Sequence, residues 1–297
     1  MNKTSDTSNH QEFNKFRSLV FPIHKYELKK FLPISFLMFF ILLFYTMVRD
    51  LKDVFIQKYA VHGCTELFPV LKLWFVMPCA FLAVILFTIL INKYGSNKTF
   101  YIIFSIFISF YAIFLFLLFP NADLIHANAQ TVTALQEKCP KFMHYIIPCI
   151  TNWSYTLFYV ISEIMGTMAI SSLFWQFANQ ITRSNEVKRF FGLYALTGNV
   201  GVIISGGMLY KMSTVSGAAF DTNVKLLIGL CILCGFATMG VYYYINSVVL
   251  KDPRFYNPSE IKTKKKHEKV SVMDGIKFLF TSPYLLLICI LVVSFGI

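Results

Sequence analysis

Charge is scarce in this chain: only 14% of its 297 residues are Asp, Glu, Lys or Arg, whereas soluble domains carry about 25%. Acidic residues are the rarest, 15 against 27 Lys and Arg, for a net charge of +12. Catalytic patterns are missing as well. The six His form no H-x-x-x-H or HExxH spacing, no Ser/His/Asp set stands out, and the Gly-rich run "GLYALTGNVGVIISGG" lacks the GK[ST] of a phosphate loop. These absences argue against a soluble domain, an enzyme, a metal site or a bound cofactor. The first 30 residues are polar and hold no apolar core, so no cleavable signal peptide is expected.

What is abundant is apolar. Hydrophobic residues make up 56% of the chain, with 32 Phe and 16 Tyr, and the mean hydropathy is +0.60. A bilayer-spanning helix needs about 20 predominantly apolar residues. Candidate spans are Phe31–Val48, Val70–Ile91, Thr99–Phe119, one within Phe142–Thr182, Phe190–Tyr210, Val224–Val249 and Ile276–Ile297. The fold class is therefore all-α and polytopic, with the lipid bilayer as a partner. Five of the seven cysteines, Cys231 and Cys234 among them, fall in apolar runs and read as buried packing residues. Cys64 and Cys139 lie in polar loops, and nothing in their spacing demands a disulfide between them.

The Phe142–Thr182 run is long enough for a helix of about 60 Å, twice the hydrocarbon thickness. Loop charge selects a single crossing. With one crossing and a cytoplasmic N-terminus, 19 of the 27 basic residues fall inside, including "KTKKKHEK" at 262–269. Two crossings would move that segment and the Arg183–Arg189 loop outside, against the positive-inside rule. The expected order is a cytoplasmic tail (1–30), a six-helix bundle (31–249), a basic cytoplasmic linker (250–275) and the start of a seventh helix (276–297). The basic charge reads as topology rather than as a nucleic-acid surface. Six helices, a linker and a further helix resemble the layout of transporters built from two six-helix halves. The chain ends inside a hydrophobic run, so it is expected to be the N-terminal part of a longer protein.

Glu163 is the only charged residue between Phe142 and Thr182. It lies 22 residues from Lys141 and 20 from Arg183, near the bilayer midplane. An ionisable group there costs about 2.5–3.5 kcal/mol on insertion scales and marks function by default. It reads as a structural partner of a neighbouring Lys or hydroxyl, a proton carrier, a gating salt bridge or a substrate contact. A second cluster, "VRDLKDVF", carries Arg49, Asp50, Lys52 and Asp53 at the end of the first span. Arg49, Lys52 and Asp53 share a helical face by spacing. They read either as a charged helix cap or as a site for a multiply charged anion with Glu163 and Asp53 gating. Lys72 reads as a snorkelling interface residue. The glycines at 192, 198, 201, 206 and 207 read as helix-packing positions, with Asn199 among them facing a partner or a cavity.

These segments resemble the nucleotide transporters (ATP/ADP carrier proteins) of obligate intracellular bacteria and plastids. "FPIHKYELKKFLP" resembles the family's stretch before its first span, with Phe21 where Trp is usual. "VRDLKDVF", "KLWFVMPCA" and "LKDPRFYNP" match further family segments, and "LFWQFANQIT" followed by "KRFFGLYAL" is the most specific match. "ISEIMGTM" resembles A-E-L-W-G, with Met165 in place of Trp. The resemblance implies a twelve-helix transporter similar to the major facilitator fold, with ATP and ADP as transported substrates. It implies that Lys52 and Glu163 are needed for transport. Arg49, by the helical face it shares with Lys52, and Asn199, as a polar side chain within a span, read as further substrate contacts. ATP:ADP antiport is the leading expectation. Proton-coupled net import of ribonucleotides is the runner-up, and a non-transporting scaffold or channel is the reading from another class.

Overall fold

The computed structural model describes residues 23–24, 26–214, 218–252, 255 and 281–288. Most of the expected tail, of the basic linker and of the seventh span therefore lies outside the described residues, and the first helix starts at Leu28, within the expected tail. The described residues are helices and the turns between them. Five continuous helical stretches are long and apolar enough to cross a membrane. They run Leu28–Tyr59, Leu67–Leu118, Trp153–Ile181, Glu186–Ser213 and Ala219–Val249.

The second stretch is two helices. Gly95 breaks it with φ 78°, ψ 168°, a backbone that residues with a Cβ rarely adopt. A straight helix of 52 residues would measure about 78 Å, far more than one crossing. Aromatic contacts show that the chain turns back. Phe68, at the start of the stretch, stacks on Tyr159, and Phe114, near its end, packs 4.6 Å from Phe158, the neighbouring residue. Both ends therefore lie at one level, and Gly95 lies at the other. We number the helices α1 (Leu28–Tyr59), α2 (67–94), α3 (96–118), α4 (Trp153–Ile181), α5 (Ser184–Ser213) and α6 (Ala219–Val249).

The Phe142–Thr182 run holds one helix long and apolar enough to cross a membrane. It begins with a short helix Ile146–Thr151 around Pro148 and breaks at Asn152 (φ −101°, ψ 45°) before α4 starts at Trp153. The buried Asn152 carboxamide fixes this break. Its Nδ2 donates to the carbonyls of Pro148 and Val61, and its Oδ1 accepts from the Val61 N–H. The turn after α1 is thereby pinned to the start of α4.

The α1 helix is the centre of the bundle. Its apolar window is 61% buried, whereas that of the α2–α3 stretch presents no buried residue. Small residues let α5 close on α1. A Cβ on Gly201 would stand 2.9 Å from the Phe39 carbonyl oxygen, and one on Gly198 would meet Leu42 and Met38. The other glycines expected to serve packing, at 192, 206 and 207, have open space beside them. The α3 and α6 helices meet where Phe100 stacks on Tyr242, 3.7 Å between ring centroids, and Tyr242 donates to Asn97 Oδ1 at 2.9 Å. Phe55 of α1 gathers Phe114, Tyr155 and Phe158 around it, closing the end of the bundle away from Gly95. Cys231 and Cys234 are buried in α6, and Cys64 and Cys139 are free thiols.

Candidate functional site

Lys52 stands seven residues, about 10 Å, before the end of α1. Its side chain is 5% exposed, and three groups account for its ammonium. It donates to Asp53 Oδ1 at 2.7 Å, lies 3.2 Å from Glu163 Oε1 on α4, and sits 4.1 Å from the centre of the Tyr159 ring. Tyr159 is one turn before Glu163 on α4, so one helix face supplies both the carboxylate and the ring. Phe68 of α2 stacks on Tyr159 and backs it. A desolvated ammonium is tolerable only with such counter-charge and π contact. The lone carboxylate of the Phe142–Thr182 run thus faces a cation on α1.

Arg49 behaves differently, although only three residues away. Its side chain is 44% exposed and pairs with Asp50 at 3.3 Å, with its guanidinium 5.6 Å from the Tyr45 ring. The 60° between positions three apart on a helix is enough to leave Arg49 open while Lys52 turns into α4. Asp50 lines a cleft of about 370 Å³ with Val54, Lys58, Leu209 and Phe220, between the ends of α1, α5 and α6. Beyond it Tyr59 donates to the Asp221 carboxylate, tying α1 to α6. Tyr45 rests against α4 at Gly166, where an added Cβ would stand 2.1 Å from the ring.

Of the residues expected to act together, the structure joins Lys52, Asp53 and Glu163. Arg49 lies beside them on α1, partnered by Asp50. Asn199 is exposed on α5, and no described hydrogen bond ties it to the cluster. Lys72 is exposed on α2. Tyr159 and Tyr45 had no signal of their own in a chain that is 17% aromatic.

A second charged network joins the opposite ends of α1 and α5. Arg189 grips Glu27 with two hydrogen bonds of 2.8 and 3.1 Å, and Lys30 donates to Glu186 at 2.6 Å. Glu186 also caps α5 by accepting from the Arg183 N–H at 3.0 Å. Burial pushes the Glu27 carboxyl up, but the Arg189 guanidinium and the His24 N–H outweigh it and hold the group below its ordinary value. The available signal was Glu186, an acid within an otherwise basic loop.

The model of the TLC ATP/ADP transporter family matches residues 6–297. The chain belongs to the TLC ATP/ADP transporter family. It is 35% identical over 297 residues to "ADP,ATP carrier protein 1" of Rickettsia bellii, covering 99% of this chain and 58% of that protein. It is 38% identical over 292 residues to the protein of the same name from Chlamydia trachomatis, covering 96% of this chain and 55% of that protein. A Chlamydia pneumoniae relative of that name is 35% identical, again with 58% of its length covered. The TLC chain described here therefore spans less than three-fifths of these relatives. No solved structure matches it. TLC membership places it with multi-pass transporters rather than enzymes.

Proposed function

We propose that the protein moves nucleotides across a membrane by exchange, ATP entering against ADP, with its N-terminus cytoplasmic. The observation that carries this reading is the Lys52 ammonium, enclosed within a membrane bundle and shared between Asp53, Glu163 and Tyr159. The names of the relatives supply the substrate class.

The charges suggest how the pair acts. Arg49, Asp50, Lys52, Asp53 and Glu163 are two cations and three anions, so the cluster is net negative before substrate arrives. Nucleotide phosphates are repelled by such a cluster unless they replace its carboxylates. Arg49, exposed toward the open face, meets the phosphates first. Lys52 then exchanges Glu163 for a phosphate oxygen, and the contact between α1 and α4 opens. When the nucleotide leaves, Glu163 returns and the contact closes. A carboxylate with this role works by ion pairing and carries no proton across.

The test is uptake of labelled ATP into liposomes holding the full-length protein. Internal ADP should accelerate uptake, and Glu163→Gln should slow exchange at every pH. Uptake into empty liposomes driven by an imposed pH gradient, and lost in Glu163→Gln, would assign Glu163 to proton coupling and overturn exchange.

A further inference from the structure

The groove between α1 and α6 at the Gly95 end of the bundle belongs to neither charged network. It holds about 500 Å³, with Lys29, Leu32 and Phe36 on one wall and Gly240, Val241 and Tyr244 on the other. This volume is that of a ligand site. Its walls are apolar and open: Leu32 is 45% exposed, Phe36 49% and Tyr244 49%. A Cβ added to Gly240 would meet no atom within 4 Å, so the groove is unfilled at its α6 side.

The arrangement of charge along it is uneven. Lys29 stands exposed at the mouth, at the start of α1, beside Lys30, whose ammonium is already held by Glu186. Phe36 lies seven residues deeper, about 10 Å down the helix. Tyr26, three residues before Lys29, is 65% exposed, as suits an aromatic side chain at a membrane interface. The matching ligand has an anionic head and a long apolar tail. A packed protein helix would fill the trench but leave the Lys29 charge unanswered. Basic pockets between membrane helices take anionic headgroups, and buried methylenes add to the attraction.

We propose that this groove binds one anionic diacyl phospholipid, its phosphate on Lys29 and one acyl chain between α1 and α6. The lipid occupies the space beside Gly240 and bridges the first and last helices of the bundle.

The experiment follows thermal unfolding of the full-length, delipidated protein titrated with dioleoyl phosphatidylglycerol or dioleoyl phosphatidylcholine. Wild type should be stabilised more by the anionic lipid. In Lys29→Gln the half-saturating phosphatidylglycerol concentration should rise about fivefold, from about 1 kcal/mol per Lys near an anionic surface. Gly240→Leu, which has room to fold, should lose the stabilisation by both lipids. Equal stabilisation of wild type by the two lipids would overturn the proposal, as would an unaltered response in either variant. A Gly240→Leu protein already less stable without lipid would assign the groove to another segment of the protein.

Discussion

Removing the Lys52 ammonium strands two carboxylates, whereas removing the Glu163 charge leaves Lys52 with Asp53 and the Tyr159 ring. The two substitutions should therefore differ. Lys52→Gln should destabilise the protein by about 2 kcal/mol, less than the roughly 3–5 kcal/mol of a fully enclosed pair, because Asp53 and Glu163 are 40% and 25% exposed. It should also weaken nucleotide binding about 10- to 150-fold, the loss of one charge-assisted contact. Glu163→Gln should unfold within about 1 kcal/mol of wild type and still slow exchange. Thermal unfolding and uptake measured on both variants check this, and equal destabilisation would count against the arrangement. Gly166→Val should cost about 1–3 kcal/mol by overpacking against Tyr45. Tyr45→Ala in the same protein should recover part of that loss in a double-mutant cycle. Glu163 and Lys52 were legible in the sequence because charge is conspicuous in an apolar run. Their aromatic neighbours were not, since one Tyr among 16 carries no mark of its position.

At the scale of helices, hydropathy located the segments that form long apolar helices, and the Phe142–Thr182 run holds one of them, α4. Hydropathy did not show which helix is central. The spans of α1 and α2 are similarly apolar, yet one is enclosed and the other presents Leu73, Trp74, Phe81 and Leu82 outward. The difference arises from close approach by α5, made where Gly201 meets the α1 backbone. Gly201→Leu should force α1 and α5 apart and destabilise the protein by about 1–3 kcal/mol, read as a lower unfolding temperature. The same change at Gly206, which faces open space, should be nearly silent. The Glu27–Arg189 and Lys30–Glu186 pairs also join these two helices. Their residues were legible only as counts of loop charge, because the partners are 162 and 156 positions apart.

For the molecule as a whole, the proposed orientation puts the Gly95 turn in the cytoplasm. Ser96→Cys, with Cys64 and Cys139 replaced by Ser, should be labelled by an impermeant maleimide only after the membrane is opened. The charged network at that end adds a pH dependence. Because Glu27 is held below its ordinary value of 4.5, its contribution to stability is present above that pH and is lost as pH falls through the lowered value. The gap in unfolding temperature between wild type and Glu27→Gln should accordingly narrow in acid. That network also sets a waiting time during synthesis. Glu186 leaves the ribosome 156 residues after Lys30, a delay of roughly 10–30 s at ~5–20 residues per second. Throughout that interval Glu27 and Lys30 have neither Arg189 nor Glu186 to meet. The first helix must therefore hold its charged end in water until the fifth is made, so its final seat in the bundle is taken late.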